Sequence, residues 1–365
     1  MPAAGQRIEA LVQETFGLGV AEIMAIEPGL GARRFFRVRL ECARSGTSAD
    51  ARPVPQTLVA RLEASEDPAL RPPSVAPEPG LEPLRSLLEA AGLPVPASYA
   101  TGPGLSLLED VGDTSLETSA ARLSPGALRE LYREACHWLP RLQRIEDPGT
   151  GIAAFSRRLD ETLFRYKADQ FIEWVLPWGR LEPPGGVRAP ANASHAAVVR
   201  EAFAWIAREC RNAPARLAHR DYKAANLHLR PGVDSGPRLV LIDLQGALLA
   251  PPEYDLVCLL RDSHVELAEE LVQSLLAEIR TELPDAPDPE SFERRFTLLT
   301  LTRNGKDLAR YIYAAKVRND ARYLPLLPRA ARTLKAAAEQ AASWNPTLAR
   351  LAEILTTLPE KTCAQ

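Results

Sequence analysis

Two short stretches gather the groups in this chain best suited to chemistry, His219-Arg220-Asp221-Tyr222-Lys223-Ala224-Ala225-Asn226 and Ile242-Asp243-Leu244-Gln245-Gly246. Between them lie two apolar runs, Leu227–Leu229 and Leu239–Ile242, separated by Gly, Pro and Asp residues. The pattern predicts a hairpin with Asn226 at its start and Asp243 at its end, close together in space. An amide oxygen and a carboxylate, beside the third oxygen group of Asp221, make a hard-oxygen site. Mg2+ prefers such a site and completes its shell with water and nucleotide phosphates. Asp221, on a tight loop, is placed to accept a hydrogen bond from a hydroxyl and aim it at the γ-phosphate of ATP. Phosphoryl transfer needs mostly positioning and charge neutralisation, so few groups suffice. Lys223 is placed to offset charge on the migrating phosphoryl group.

These residues need a frame. Residues 1–18 read as an amphipathic helix. After it, Gly29 and Gly31 punctuate the segment that leads to two strand-like runs, Phe35–Leu40 and Thr57–Leu62. The stretch Ala43–Pro55 reads as the loop of their hairpin, and the proline-rich Ser65–Gly80 as a surface connection. Leu81–Ala91 has helical spacing ended by Gly92, and Leu105–Leu108 reads as a strand. From about Pro125 helical patterns dominate, interrupted by the Pro/Gly-rich Pro177–Ala193. The tail from Ala330 reads as one or two packed helices. The expected fold is therefore α+β with two lobes, a small β-rich one over residues 1–108 and a larger, mainly helical one over 109–365, meeting at a cleft.

The chain has 365 residues, 46% of them apolar and 25% charged, which is the composition of an ordinary globular protein. A formal net charge of −3 gives no general attraction to nucleic acid or to an anionic membrane. The five cysteines are scattered and never closely paired, which argues against a disulfide framework and a zinc site. Cys258, in an apolar run, reads as a packed core thiol. The N-terminal helix lacks the apolar core of a signal peptide, and no stretch is long enough to cross a bilayer, so the expected location is cytoplasmic.

The spacing His219-Arg220-Asp221-x-Lys223-x-x-Asn226, followed by a strand and Asp243, resembles the catalytic loop of protein kinases and their small-molecule relatives. The resemblance implies that Asp221 and Lys223 are catalytic, that Asn226 and Asp243 hold Mg2+, and that His219 braces the loop. Pro251-Pro252-Glu253-Tyr254-Asp255-Leu256 is similar to a segment of the small-molecule branch, the aminoglycoside phosphotransferase superfamily. There Asp255 would support the catalytic loop; read alone, it also suits the start of a helix. Asp243-Leu244-Gln245-Gly246 stands where protein kinases carry Asp-Phe-Gly.

Further motifs are similar to the bacterial kinases that phosphorylate the anomeric hydroxyl of N-acetylmuramate and N-acetylglucosamine in peptidoglycan recycling. They are Ala32-Arg33-Arg34-Phe35-Phe36-Arg37, Phe171-Ile172-Glu173-Trp174, Asp243-x-Gln245, Pro251–Asp262 and Arg322-Tyr323-Leu324-Pro325. Where that family often has His-Ser-Arg, this chain has Lys223-Ala224-Ala225. The resemblance implies a small-molecule partner, an amino sugar, with Gln245 as a polar contact and Trp174 as a stacking face. On the nucleotide side it implies Gly29 and Gly31 in a phosphate loop, Arg61 in place of the usual phosphate-binding lysine with Glu82 as its acidic partner, and Glu109 at an adenine-binding hinge. Other readings are a kinase for an aminoglycoside, an amino alcohol or a protein side chain, and a silent nucleotide-binding protein on the same fold.

Overall fold

In the computed structural model the described residues are 2–27, 33–41, 54–63, 79–178, 192–230 and 238–359. Gly29, Gly31, most of Ala43–Pro55 and Ser65–Gly80, and nearly all of Pro177–Ala193 lie outside them. In chain order the elements are α1 (Pro2–Phe16), β1 (Val20–Ile26), β2 (Arg34–Leu40), β3 (Thr57–Leu62), α2 (Leu84–Ala90), β4 (Ser98–Gly102) and β5 (Leu105–Glu109). Then come α3 (Leu116–Ala120), α4 (Pro125–Gln143), α5 (Ala153–Ser156), α6 (Glu161–Gln170), a π-helical segment Phe171–Val175, α7 (Ala193–Arg211) and β6 (Arg216–Ala218). The remainder is β7 (Leu227–Leu229), β8 (Leu239–Leu241), β9 (Leu248–Ala250), α8 (Tyr254–Leu260), α9 (Glu269–Arg280), α10 (Pro289–Val317), α11 (Leu327–Ala341) and α12 (Pro346–Thr356).

Two compact units emerge, and neither is one continuous stretch. The first takes Met1–Pro77, Pro94–Thr114 and His228–Ile242; the second takes Glu78–Leu93, Ser115–Leu227 and Asp243–Gln365. A single cut between residues 108 and 109 does not describe this division. Backbone pairing carries the first unit to Thr114 and recruits the later hairpin: Leu229 N–H donates to Thr114 O (2.7 Å) and Leu241 N–H to Pro94 O (2.7 Å). Helix α2, which the linear reading placed in the first lobe, belongs to the second unit.

The first unit is built on a five-stranded antiparallel sheet in the order β1-β2-β3-β5-β4. On β2, Phe36, Val38 and Leu40 alternate inward, the period-two pattern of a half-buried strand. They pack with Leu58, Ala60 and Leu62 of β3 and with Leu105 and Leu107 of β5. Ala4, Ile8 and Val12, four residues apart on one face of α1, close this core. Each fully buried Ile, Val or Leu contributes about 1.5–3 kcal/mol. Strands β1 and β4 were not legible in sequence. No residue of β1 is fully buried and its half-buried positions do not alternate, while β4 reads Ser-Tyr-Ala-Thr-Gly.

The second unit is helical and centres on α10, which packs against α6, α8, α11 and the π-helical segment. This helix has buried residues on nearly all sides, so it lacks the polar face of a surface helix. Two two-stranded sheets accompany the helices: β6 pairs antiparallel with β9, and β7 with β8 in the first unit. Among the described residues no helix is long and apolar enough to cross a membrane.

Gly305 lies midway along α10 where the π-helical segment approaches; a Cβ there would sit 2.8 Å from Phe171 Cδ2. Phe171 is fully buried and edge-packed on Phe203, so it has little room to withdraw. Gly305→Ala is therefore expected to destabilise the protein by about 1–3 kcal/mol despite the better helix propensity of alanine. Urea unfolding of the two proteins checks this, and an unchanged or raised midpoint would contradict the tight approach.

Candidate active site

Strand β6 delivers the chain to a loop, His219–Asn226, whose shape is set by what its backbone and buried side chains can bond. Asp255, near the start of α8, is 2% exposed. Its carboxylate accepts hydrogen bonds from His219 N (2.6 Å) and Arg220 N (3.0 Å). Burial raises its pKa, while these donors and the nearby His219 ring oppose that rise. Arg220 adopts φ +76°, a left-handed conformation that a non-glycine residue holds only when its surroundings impose it.

Three further anchors fix the loop. Tyr222 is fully buried and its hydroxyl donates to Ala135 O of α4 (2.8 Å). Ala224 N–H donates to Asp262 Oδ2 (3.0 Å), while the other oxygen of Asp262 meets His264 Nδ1 at 2.7 Å. Ala224 is itself fully buried, so a small residue suits this position. Asn226 turns its Nδ2 back onto Asp221 O (2.8 Å), and its side-chain Oδ1 accepts no hydrogen bond among the described residues. The hairpin β7–β8 follows as expected, and Asp243 comes after it with φ +63°.

Gln245 is 3% exposed, and its Nε2 donates to Asp243 Oδ1. It holds the Asp243 carboxylate, a role beyond the polar contact with the acceptor expected of it. Trp174 is half-buried in the π-helical segment, its ring set edge-on to Tyr313 at 5.1 Å.

The residue that sequence reasoning missed is Arg303. It projects from α10, is 4% exposed, and donates through Nη2 to Asp221 Oδ1 at 2.8 Å. Its Nε donates to Cys258 Sγ (3.3 Å), and its guanidinium also pairs with Asp307. Cys258 is thus more than a core filler. Burial pushes its thiol up to about 11, so it stays protonated and donates to Arg220 O (3.4 Å). A signal was present in the sequence: Arg303-Asn304-Gly305-Lys306-Asp307 is a polar run inside the mostly apolar and threonine-bearing stretch Phe296–Ala315 of a buried helix. Such a run in a buried helix needs partners, and here Asp221 is one of them.

Electrostatics around Asp221 are dominated by cations. Its surroundings desolvate the carboxylate, which alone would raise its pKa, but Lys223, Arg303, Lys306 and Arg310 hold it well below the usual carboxylate range. Lys223 Nζ lies 3.5 Å from Asp221 Oδ2. Burial pushes Lys306 down to about 8, with Arg303 adding to the shift. Lys167, buried against the rings of Tyr254 and Phe164, is pushed down to about 7 by burial and by Lys306 and Arg303.

On the first unit, Arg61 is 3% exposed on β3 and pairs with Glu63. In the second unit, Glu82 holds Arg85 and Ser86 of α2. Glu109, at the end of β5, accepts from Arg230 (2.9 and 3.0 Å) and from Ala97 N (3.1 Å). Arg37 grips both Asp110 and Asp113 beyond β5, which raises its pKa through those bonds and fixes the turn there.

A β-rich unit with a five-stranded antiparallel sheet, and a helical unit carrying an Asp-x-Lys-x-x-Asn loop with an Asp after the next hairpin, together define a kinase-like phosphotransferase fold. Comparison with known proteins agrees. The sequence pattern of the phosphotransferase enzyme family matches residues 57–293, more than half of the chain. The protein belongs to that family and is a phosphotransferase. It is 29% identical over 282 residues to the N-acetylmuramate/N-acetylglucosamine kinase of Pseudomonas aeruginosa, covering 75% of this chain and 76% of that one. It is 33% identical over 152 residues to the enzyme of the same name from Neisseria meningitidis, covering 39% and 42%. Among solved structures, the choline kinase LicA from Streptococcus pneumoniae shares the fold with TM-score 0.59 at 14% identity, covering 92% of this chain and 99% of that one. ADP-bound aminoglycoside phosphotransferase APH(2'')-Ib does so with TM-score 0.53 at 16% identity, over 90% and 96%.

Arg303→Met should move the acid limb of kcat/KM to higher pH. On the reading that Asp221 accepts a bond from the acceptor hydroxyl it must be ionised, and losing the Arg303 cation raises its pKa toward the ordinary range. Arg303→Lys should restore part of the shift. A pH profile whose acid limb stays in place in Arg303→Met would show that another group sets it.

Proposed function

We propose that the protein transfers the γ-phosphoryl group of ATP to the anomeric hydroxyl of an N-acetylated amino sugar of the N-acetylmuramate/N-acetylglucosamine class. The observation that carries this reading is the charge around Asp221. Four cations, Lys223, Arg303, Lys306 and Arg310, act on a carboxylate accompanied by Asp307. A polycationic acceptor such as an aminoglycoside, or a quaternary amine such as choline, would meet repulsion there. A neutral or anionic sugar would not. The relatives that match most of the chain's length carry the amino-sugar kinase name, which agrees with this choice.

In this reading the sugar hydroxyl donates to Asp221 Oδ2, because Oδ1 is taken by Arg303. The sugar oxygen forms its bond to the γ-phosphorus as the bond from phosphorus to the ADP oxygen breaks. The hydroxyl proton passes to Asp221 and then to solvent. A carboxylate held well below its usual range is a weak base. Its task is to orient the hydroxyl, and the proton leaves late, once bonding to phosphorus has made it acidic. Lys223 offsets charge on the phosphoryl oxygens. Asn226 and Asp243 would hold Mg2+, whose chemistry is to neutralise phosphate charge. The Oδ1 of Asn226 and the Asp243 carboxylate held by Gln245 are the oxygen donors this ion prefers.

The test is ATP consumption with Mg2+ against N-acetylmuramate, N-acetylglucosamine, plain hexoses, an aminoglycoside and choline. Turnover is expected with the two N-acetylated sugars, giving an acid-labile sugar phosphate. Asp221→Asn should lower kcat by about 10²–10⁴-fold while keeping nucleotide affinity. Preferred turnover of the aminoglycoside or choline would replace the acceptor, and full activity of Asp221→Asn would remove Asp221 from the mechanism.

A further inference from the structure

Helix α10 presents Arg303, Lys306, Asp307 and Arg310 at spacings of three, four and seven, which places them along one face. Their partners differ sharply. Arg303 is committed to Asp221 and Asp307. Among the described residues Lys306 pairs with Asp307 alone, at 3.0 Å, and shares that carboxylate with Arg303. Arg310 is exposed and makes no hydrogen bond or ion pair among the described residues, although its charge acts on Asp221. Asp307 is the one carboxylate on this face, so it cannot balance Lys306 and Arg310 after serving Arg303. Two cationic groups are left over, one and two helical turns beyond the residue that touches Asp221.

We propose that Lys306 and Arg310 form a subsite for a carboxylate carried by the acceptor, across the sugar ring from the hydroxyl that Asp221 orients. This rests on the amino-sugar reading above and narrows it. N-acetylmuramate differs from N-acetylglucosamine by a lactyl ether ending in a carboxylate, and the subsite favours the acceptor that bears it. Arginine offers a two-pronged donor to such a group and lysine a compact charge. Asp307 then acts as a spacer, keeping Lys306 on this face when no acceptor is bound. Lys223, on the catalytic loop, is left for the phosphoryl group.

The measurement is kcat and KM of the full chain for both sugars and for ATP, in the unaltered protein and in Lys306→Met, Lys306→Arg and Arg310→Gln. Removing one charge-assisted bond is expected to raise KM for N-acetylmuramate about ten- to a hundredfold more than KM for N-acetylglucosamine, with KM for ATP within about twofold. Lys306→Arg should retain most of the preference. Arg310 is exposed, so its variant gives a reading even if Lys306→Met fails to fold. Equal losses on both sugars, or a raised KM for ATP, would assign the two cations to the phosphates and overturn the subsite while leaving the amino-sugar reading in place. An unaltered protein that uses N-acetylglucosamine but not N-acetylmuramate would overturn it in the same way. An unaltered protein that uses neither sugar would remove the amino-sugar reading and the subsite with it.

Discussion

A buried carboxylate must find donors, and in this protein Asp255 finds them in the backbone of the loop His219–Asn226. Its two oxygens take the N–H groups of His219 and Arg220, and the left-handed turn at Arg220 follows from that demand. The return of Asn226 onto Asp221 O and the seat of Ala224 on Asp262 both depend on that turn. Backbone donors suit this purpose because they are fixed by the fold and bring no charge of their own. An exposed ion pair could not impose the same geometry, since water competes for both partners.

The second layer of control is electrostatic. Arg303 reaches one oxygen of Asp221 and leaves the other, and the neutral thiol of Cys258 links Arg303 to the carbonyl of Arg220. A thiolate there would pair with the guanidinium and draw it from Asp221. Burial keeps the sulfur protonated, so it passes a hydrogen bond along and takes no charge.

Much of this was legible in the sequence because the chemistry is local. Asp221, Lys223, Asn226 and Asp243 lie within 23 consecutive residues, and spacing alone predicts their hairpin. What escaped depends on contacts far along the chain. Arg303 stands 82 positions from Asp221, and no local pattern pairs them. Gln245 was read as a polar contact for the acceptor, and the bond of its amide to Asp243 is a further contact that spacing alone does not show. Strand β1 escaped because it does not alternate between buried and exposed positions. Its half-buried residues recur every third position, so a search for period-two alternation does not find it.

The division of the chain has a consequence for how the protein comes into being. Passing from residue 1 to 365, the backbone changes unit five times, at 77/78, 93/94, 114/115, 227/228 and 242/243. During synthesis the five-stranded sheet has all its strands once Glu109 has emerged, yet its unit still lacks the hairpin that bonds to Pro94 and Thr114. That hairpin arrives only after more than a hundred further residues of the helical unit. Until then Pro94 O and Thr114 O lack their hairpin donors, so the first unit can complete its backbone bonding only after about half of the second has been synthesised.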